Sequence, residues 1–380
     1  MVQGEEFRVD GRQVRRLLDG AQLAPFTRLD DRRGLVAPVW TFGLIGLLAA
    51  AGAMAWQAGA WWAVLLCLLL LGTQQHALFV LVHEAAHYRL FSSRKFNDVV
   101  GRLAGTLGGI SMCTYRVTHR LHHNHLYGVQ DPDIALNGGY PRGRAYLARK
   151  LLIDLTGWTA PKTYAYFFGA PAINTESEQT LRPLNDTSEA LRADARRDRW
   201  VVVGFHAMAP IAAFGLGGWQ GLALYAVLWV VPLLTVLQAI LRLRAVAEHG
   251  APAGYESPLT AARTNLPGRG PLGWLIRLCF FPHHVNYHIE HHLYPAVPHY
   301  RLPALHRRLR DDGLLQGAEM RTFPDTLRRV FAPRGSFPVA PRRDSTDAPR
   351  RDSTDAPRRD STVPPAPRHD AGTASQELRA

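Results

Sequence analysis

Charged residues are segregated along this chain rather than spread evenly. No Asp, Glu, Lys or Arg occurs in the 50 residues from Gly34 to His83, or in the 42 residues from Trp200 to Leu241. A helix of about 20 apolar residues already spans a bilayer. Each run therefore predicts two transmembrane helices joined by a tight turn. The predicted helices lie at about 35–56, 60–82, 200–215 and 221–241.

Lysines and arginines flank these helices on one side. They precede the first helix, fill the loop from Tyr88 to Arg199, and follow the fourth helix at Arg242 and Arg244, whereas both short turns contain none. The positive-inside rule places both termini and the long loop in the cytoplasm. The sequence thus predicts an all-α membrane protein with four transmembrane helices in two hairpins and a cytosolic helical cap.

Shorter amphipathic or apolar segments complete the predicted domain. Val99–Cys113 and Gly273–Phe281 are too short to span a bilayer, so they predict interfacial or re-entrant helices. Arg301–Arg310 predicts a cytosolic amphipathic helix near the membrane surface. We assign residues 35–330 to one membrane domain, preceded by a cytosolic segment, 1–34.

The C-terminal stretch 331–380 differs in composition from the rest. It contains three near-identical octads between Ala340 and Val363, each built on APRRDST. Segments rich in Pro, Arg, Asp, Ser and Thr have little to bury, so we expect a disordered tail.

The net charge does not require a nucleic-acid partner. Lys and Arg number 44 against 31 Asp and Glu, a surplus of 13. Such a surplus can indicate nucleic-acid binding, but here it borders the apolar runs, where membrane topology explains it. Cys67, Cys113 and Cys279 form no CxxC pair and predict no disulfide or zinc framework.

Histidines are grouped in a way that indicates metal chemistry. Three boxes occur: HEAAH (His83–His87), HRLHH (His119–His123) and HIEHH (His288–His292). His249 follows the fourth helix by about two turns. Positions i, i+3 and i+4 share one face of a helix, so each box directs its imidazoles to a common point. The candidate ligands are His83, His87, His119, His122, His123, His249, His288, His291 and His292.

Nine imidazoles exceed the needs of one catalytic zinc, which uses three protein ligands. Two adjacent metals fit better, and iron is favoured because an all-nitrogen pair beside a bilayer suggests oxygen chemistry on apolar substrates. HEAAH also matches the HExxH zinc-protease motif, but a protease has no use for six further histidines. A metal transporter is the non-enzyme alternative, although few polar residues, such as His76 and His206, lie within the spans.

The three boxes resemble those of the integral-membrane fatty acid desaturase family and of its relatives, the alkyl hydroxylases and carotenoid ketolases. Phe281–His306 resembles the desaturase branch in particular, and His249 in the sequence EHG resembles that family's additional ligand. The resemblance covers about residues 35–310. It implies that the nine histidines hold a non-haem di-iron centre at the cytosolic membrane face, with O2 as co-substrate and two external electrons per turnover.

By this resemblance the substrate is a fatty acyl chain carried on lipid, coenzyme A or acyl carrier protein. The alternatives are a hydroxylase, a ketolase, or a desaturase of another apolar or amino-acid-derived metabolite. No HPGG stretch of a fused cytochrome b5 occurs. A separate electron donor is therefore expected, either ferredoxin or a cytochrome b5-type protein with its reductase.

Ligand histidines need partners on their second ring nitrogen. Candidates by sequence proximity are Glu84, Asn124, Asp131, Asp133, Glu248, Asn286 and Glu290. Among the remaining histidines, His284 is a possible rival ligand and His76 predicts a polar helix contact. Non-ligand roles are expected for His125, His206, His283 and His299.

Overall fold

The computed structural model describes residues 6–9, 12–15, 17–128, 130–174, 179–185, 187–255 and 257–337. The octads lie outside the described residues. The described chain is mostly helical, and its α-helices are α1 (Gly20–Thr27), α2 (Asp31–Gln57), α3 (Trp61–Ala86), α4 (Arg94–Gly108), α5 (Met112–Asn124), α6 (Ile134–Asn137), α7 (Arg144–Leu155), α8 (Ala160–Phe167), α9 (Glu189–Tyr225), α10 (Val231–Leu234), α11 (Val236–His249), α12 (Pro258–Ala261), α13 (Gly270–Phe280), α14 (His288–Leu293), α15 (Leu302–Asp311) and α16 (Phe323–Val330).

Short strands pair in twos. The pairs are β1 (Glu6–Val9) with β2 (Arg12–Arg15), antiparallel; β3 (Ala172–Asn174) with β4 (Gln179–Leu181), antiparallel; and β5 (Thr264–Leu266) with β6 (Met320–Thr322), parallel. The β5–β6 pair connects the loop after α11 to the segment before α16. β5 also contacts α11 and α14, which carry predicted metal ligands.

Three helical stretches of the described chain are long and apolar enough to cross a membrane: α2, α3 and the 61 residues Glu189–His249. α2 packs along α3, and the two are joined by a turn at Gly59, whose φ is +68°. The Asp30 side chain caps α2 by accepting hydrogen bonds from the N–H groups of Arg32 and Arg33. α2 begins four residues before its predicted start and ends one residue later than predicted, whereas α3 begins one residue later and ends four residues later than predicted.

The stretch Glu189–His249 is interrupted at the predicted second turn. Gly217 and Gly218 leave helical geometry, and Gly218 adopts a φ of +58°. A Cβ added at Gly221 would overlap the carbonyl oxygen of Ala213, although residues eight apart in a straight helix are about 12 Å apart. The chain therefore folds back on itself at these glycines. A π-helical turn, Ala226–Val230, and α10 then lead into α11.

α4 lies against α3 through a face of small residues. An added Cβ would approach Ala85 from Gly101, Val82 from Gly105 and Phe79 from Gly108. As the residue number increases along α4, the number of the contacted residue in α3 decreases. The two helices are therefore antiparallel. Gly109, at φ +79°, ends α4, and α5 begins two residues after Ile110. The single helix predicted over Val99–Cys113 is therefore wrong: two helices meet within that range because a left-handed glycine separates them.

A second core lies under α14 and α15. Ile289 and Leu293 of α14 pack with Leu302, Leu305 and Leu309 of α15. α15 agrees with the amphipathic helix predicted at Arg301–Arg310, and α13 with the short helix predicted at Gly273–Phe281. This core fixes α14, which carries the third histidine box.

Candidate metal centre

The histidine boxes occupy helix ends that meet in space. His83 lies in the last turn of α3, and His87 is the residue that follows that helix. HRLHH forms the last turns of α5, HIEHH forms most of α14, and His249 is the final residue of α11. The Ser111 side chain caps α5 by accepting a hydrogen bond from the N–H of Thr114 at 3.2 Å. The predicted helical setting of HRLHH and HIEHH is confirmed.

The structure brings all nine histidines together in two groups. The five-histidine group consists of His83, His87, His119, His123 and His291. The four-histidine group consists of His122, His249, His288 and His292. Within each group one ring nitrogen from every residue lies within 4.8 Å of the others. Each group could therefore hold a metal ion.

The spacing of the ring nitrogens fits ligands of a shared ion. Nε2–Nε2 distances are 3.2 Å for His122–His249, 2.7 Å for His249–His288, 3.1 Å for His288–His292, 3.0 Å for His119–His123 and 3.0 Å for His123–His291. Two imidazoles bound at about 2.1 Å from one ion, at right angles, are about 3.0 Å apart. Nε2 of His83 and of His87 is buried with no hydrogen-bond partner in the described chain. A cation would satisfy these atoms.

Burial keeps most of these rings neutral, which is the form that binds metal. Burial and repulsion from neighbouring imidazoles lower the pKa of His87 to about 3. The same causes lower the pKa of His119, His123 and His291 well below the ordinary value. Burial also disfavours the charged form of His122, but the carboxylates of Asp131 and Asp133 outweigh it and raise its pKa to about 9.

Two of the predicted partners contact the second nitrogen of a ring. Glu84 Oε1 lies 3.1 Å from His83 Nδ1, and its other oxygen accepts the backbone N–H of His299 at 3.1 Å. Asp131 Oδ1 lies 3.0 Å from His122 Nδ1. A carboxylate on Nδ1 fixes the ring tautomer and directs Nε2 toward the group.

The other predicted partners are placed differently. Glu248 binds Arg244 at 2.9 Å with one oxygen, and its other oxygen lies 3.7 Å from His288 Nε2. Glu290 binds His306 Nδ1 at 2.5 Å and the Thr264 hydroxyl at 2.6 Å. Asp133 lies 3.6 Å from His122 Nδ1. Asn124 is exposed at the end of α5, and the Asn286 side-chain oxygen has no partner in the described chain. Sequence proximity was therefore a poor guide to these contacts.

Arg263 is a residue of the site that sequence reasoning missed. It is 1% exposed and donates hydrogen bonds of 2.9 Å to the carbonyls of Ala247, Gly250 and Ala251. These carbonyls surround His249, whose Nδ1 lies 3.2 Å from the Ala261 carbonyl. Arg263 thus fixes the end of α11. A single arginine in a loop carries no spacing signal that could have found it.

Histidines outside the two groups have other settings. His284 is exposed, His283 Nε2 lies 2.7 Å from the Thr41 hydroxyl, and His206 Nε2 lies 2.9 Å from the Thr106 carbonyl. His76 is fully buried, but neither ring nitrogen has a hydrogen-bond partner in the described chain. The polar helix contact predicted for His76 is therefore absent from the described residues. His125 lies outside both groups.

Comparison with known proteins gives one family. The family described as "Fatty acid desaturase" matches residues 59–324, which include all nine histidines. Dihydrorhizobitoxine desaturase of Bradyrhizobium elkanii is 27% identical over 67% of this chain and 70% of its own length. The chloroplastic omega-3 fatty acid desaturase of Glycine max is 26% identical over 61% of this chain and 51% of its own. The sn-1 acyl-lipid omega-3 desaturase (ferredoxin) of Nostoc sp. (strain 36) is 23% identical over 68% and 70%.

Proposed function

The chain belongs to the fatty acid desaturase family, and on that premise we propose that it is a membrane-bound, O2-dependent oxidoreductase that introduces a double bond into a fatty acyl chain. The observation that carries the proposal is the convergence of nine histidines into two adjacent groups, each able to hold a metal ion. A single-ion zinc protease would need only three protein ligands, and the second group would then have no role.

We assign all nine histidines as metal ligands and iron as the metal. When bound, a pair of iron ions supplies the oxidising chemistry that removes hydrogen from an unactivated C–H bond, with O2 and two external electrons. The chain's own residues hold the rings. Glu84 and Asp131 keep Nδ1 of His83 and His122 hydrogen-bonded, so that Nε2 stays directed into each group. Seven of the nine histidines are buried and the other two, His87 and His123, are partly buried, which limits access of water to the centre.

We also propose four membrane passes in two hairpins, with the histidines and both termini in the cytoplasm. The first hairpin would be α2 and α3. The second would be the two halves of Glu189–His249, because the chain reverses at Gly217 and Gly218. Large apolar side chains are exposed along these helices, among them Leu47, Trp62, Met208 and Ile211. Exposed apolar surface of this extent is expected where lipid covers a protein.

The domain limits follow from the same reasoning. Residues 35–330 would form the membrane domain with its cap, since α16 ends at Val330 and its residues contact α11 and β5. Residues 1–34 would form a cytosolic N-terminal segment, and 331–380 a separate tail. The electron donor would be a distinct protein, either ferredoxin or a cytochrome b5-type protein. The printed name of the Nostoc relative includes ferredoxin, which supports the first choice.

The second candidate function is oxidation of a substrate other than a fatty acyl chain, either by desaturation or by hydroxylation. A specific observation favours it: one relative is named a dihydrorhizobitoxine desaturase and aligns over 70% of its length.

Metal analysis and product profiling of a host that produces the full chain test the proposal. We expect about two irons per chain and new unsaturated lipids in the host. Both should be lost in His87→Ala. His206→Ala should keep both, because His206 binds only a backbone carbonyl outside the two groups. One zinc per chain, or iron without any oxidised product, would contradict the proposal.

A further inference from the structure

α7 runs along α11 in the opposite direction. Leu147, in the first turn of α7, shares a buried cluster with Val246 of α11. At the other end of α7, the carboxylate of Asp154 binds Arg242 with both oxygens, at 2.5 and 3.0 Å. The number of the α11 partner decreases as the number along α7 increases, so the two helices are antiparallel. α7 therefore leads away from the histidine end of α11 and toward α10.

The chain turns from α7 into α8 at a corner, residues 151–161, that lies beside α10. A Cβ added at Gly157, whose φ is +80°, would lie 3.3 Å from the carbonyl oxygen of Leu234. The Tyr164 hydroxyl of α8 donates a hydrogen bond to the Leu233 carbonyl at 3.2 Å. Leu234 lies seven residues before the end of the second charge-free run, which is about 10 Å at the helical rise. The corner therefore lies beside a predicted membrane span, although the loop that contains it is predicted to be cytosolic.

The corner exposes large apolar side chains. Leu152 and Leu155 of α7 and Trp158 of the turn are 64%, 45% and 83% exposed. Leu152 and Leu155 are three residues apart and so share one side of α7, whereas Asp154 is fully buried on the side that faces α11. Leu234, beside the corner, is exposed as well. The apolar surface of the corner thus continues onto the surface of the predicted span.

The exposed side of the corner carries no charge. Asp154 is the only charged residue among residues 151–161, and its carboxylate is buried against Arg242. Arg149 and Lys162, both exposed, stand at the two ends of the corner. Tryptophan is enriched at the membrane–water interface, and basic side chains beside an apolar surface extend to anionic lipid headgroups. Lipid therefore matches both the apolar surface and its basic flanks.

We propose that the corner inserts into the cytoplasmic leaflet of the bilayer and that lipid covers Leu152, Leu155 and Trp158. Arg149 would lie at the headgroups and Trp158 deeper. The inference rests on the proposed function, because it takes the membrane passes and their orientation from it. The loop between the second and third passes would then dip into the membrane rather than remain wholly cytosolic.

Insertion would hold α11 at a fixed height relative to the bilayer. The ion pair of Asp154 with Arg242 joins the corner to α11. Arg242 precedes His249, a proposed ligand in the four-histidine group, by seven residues, about 10 Å along the helix. Movement of α11 along the membrane normal would expose the apolar side chains of the corner to water, which is unfavourable. The corner would therefore anchor the helix that ends at this group.

Fluorescence labelling of the full-length protein in lipid nanodiscs tests the proposal. The key variant is Trp158→Cys, which carries a nitrobenzoxadiazole label. The label is quenched either by a nitroxide on the lipid acyl chains or by iodide in the buffer. Leu47→Cys on the exposed surface of α2 is the control for lipid, and Asp311→Cys at the end of α15 is the control for water. The unsubstituted protein gives the background from its three native cysteines, of which two are buried.

We expect the label at Trp158→Cys to behave as it does at Leu47→Cys, with quenching by the lipid nitroxide and loss of the iodide quenching seen at Asp311→Cys. Along α7, iodide quenching should decrease from Arg149→Cys to Leu152→Cys and should be lowest at Trp158→Cys. Iodide quenching at Trp158→Cys equal to that at Asp311→Cys would overturn the inference. Protection from both quenchers would also overturn it, because protein, either a second copy or a partner, would then cover the corner.

The controls separate this inference from the proposed function. Lipid quenching at Leu47→Cys but not at Trp158→Cys would overturn the insertion alone. No lipid quenching at Leu47→Cys would overturn the proposed passes and, with them, the inference. Iron content and unsaturated product are measured on the same preparations. Lipid quenching at both positions in a protein without iron and product would overturn the proposed oxidation and leave the insertion standing.

Discussion

Asp131→Asn is the most direct test of how the carboxylate shell supports the four-histidine group. Asp131 is fully buried, with Oδ1 3.0 Å from His122 Nδ1 and 3.0 Å from the N–H of Asp133. Its Oδ2 accepts the N–H of Tyr127 at 2.9 Å. Asparagine keeps the shape, but its amide nitrogen cannot accept a hydrogen bond. Either His122 or a backbone N–H therefore loses its acceptor.

The expected loss can be estimated in two independent ways. A hydrogen bond to a charged group contributes about 1.5–3 kcal/mol, which corresponds to about 10- to 100-fold in affinity. Loss of a carboxylate partner from a metal-bound histidine ordinarily lowers metal affinity by about 10- to 100-fold. The two ranges agree. We therefore expect Asp131→Asn to bind metal about 10- to 100-fold more weakly than the wild type.

The assay is equilibrium competition with a chelator of known affinity, with Co²⁺ in place of iron. Wild type and variant are compared at one and the same pH, because Asp131 and Asp133 raise the pKa of metal-free His122 and a proton competes with the metal for that ring. Asp198→Asn is the control: Asp198 is a buried carboxylate bound to Arg102 and to the N–H of Cys113, away from the histidines. Wild-type affinity in Asp131→Asn, or an equal loss in the control, would refute the reasoning.

Further predictions concern the stability of the scaffold. Chelation should lower the melting temperature, because the ring nitrogens of each group crowd together without a cation; an unchanged melting curve would contradict this. Arg263→Gln should destabilise the cap by about 3 kcal/mol or more in denaturant titrations and lower the iron content, since three carbonyls lose a charged donor. Gly101→Val should cost about 1–3 kcal/mol by overpacking α4 on α3, whereas Gly204→Val, where nothing lies within 4 Å, should cost less. Burial tends to raise the pKa of Glu319, but Arg321 and Arg263 outweigh burial and lower that pKa below its ordinary value of 4.5. The ionised Glu319 side chain should therefore stabilise the fold above pH 4.5, and this stabilisation should be lost as the pH falls below 4.5. Glu319→Gln should make the free energy of unfolding depend less on pH in this acid range.

Local spacing explains why the histidine positions could be predicted. The i, i+3, i+4 pattern of HRLHH fixes three rings on one helix face whatever surrounds the helix. The division of the boxes could not be predicted. His119 and His123 belong to the five-histidine group, but His122 joins the other group with His249. That division depends on where α11 and α14 approach α5, which is set by tertiary packing.

Charge predicted where apolar helices lie but not where they end. The charge-free run stops at His83, yet α3 continues to Ala86. Glu84 is tolerated inside the helix because its two oxygens bind His83 and the N–H of His299. A buried carboxylate with partners does not terminate a helix, whereas the sequence alone shows only an unpaired charge.

α5 and α14 each contribute rings to both histidine groups. On the proposed function, binding of a metal ion by one group should therefore order the rings of the other. Half-filled molecules should then be the least populated species, and uptake should follow a sigmoidal curve rather than two separate steps. When iron is scarce, cooperative binding would reduce the fraction of molecules with both metal positions filled. The turnover rate of each filled molecule would stay the same.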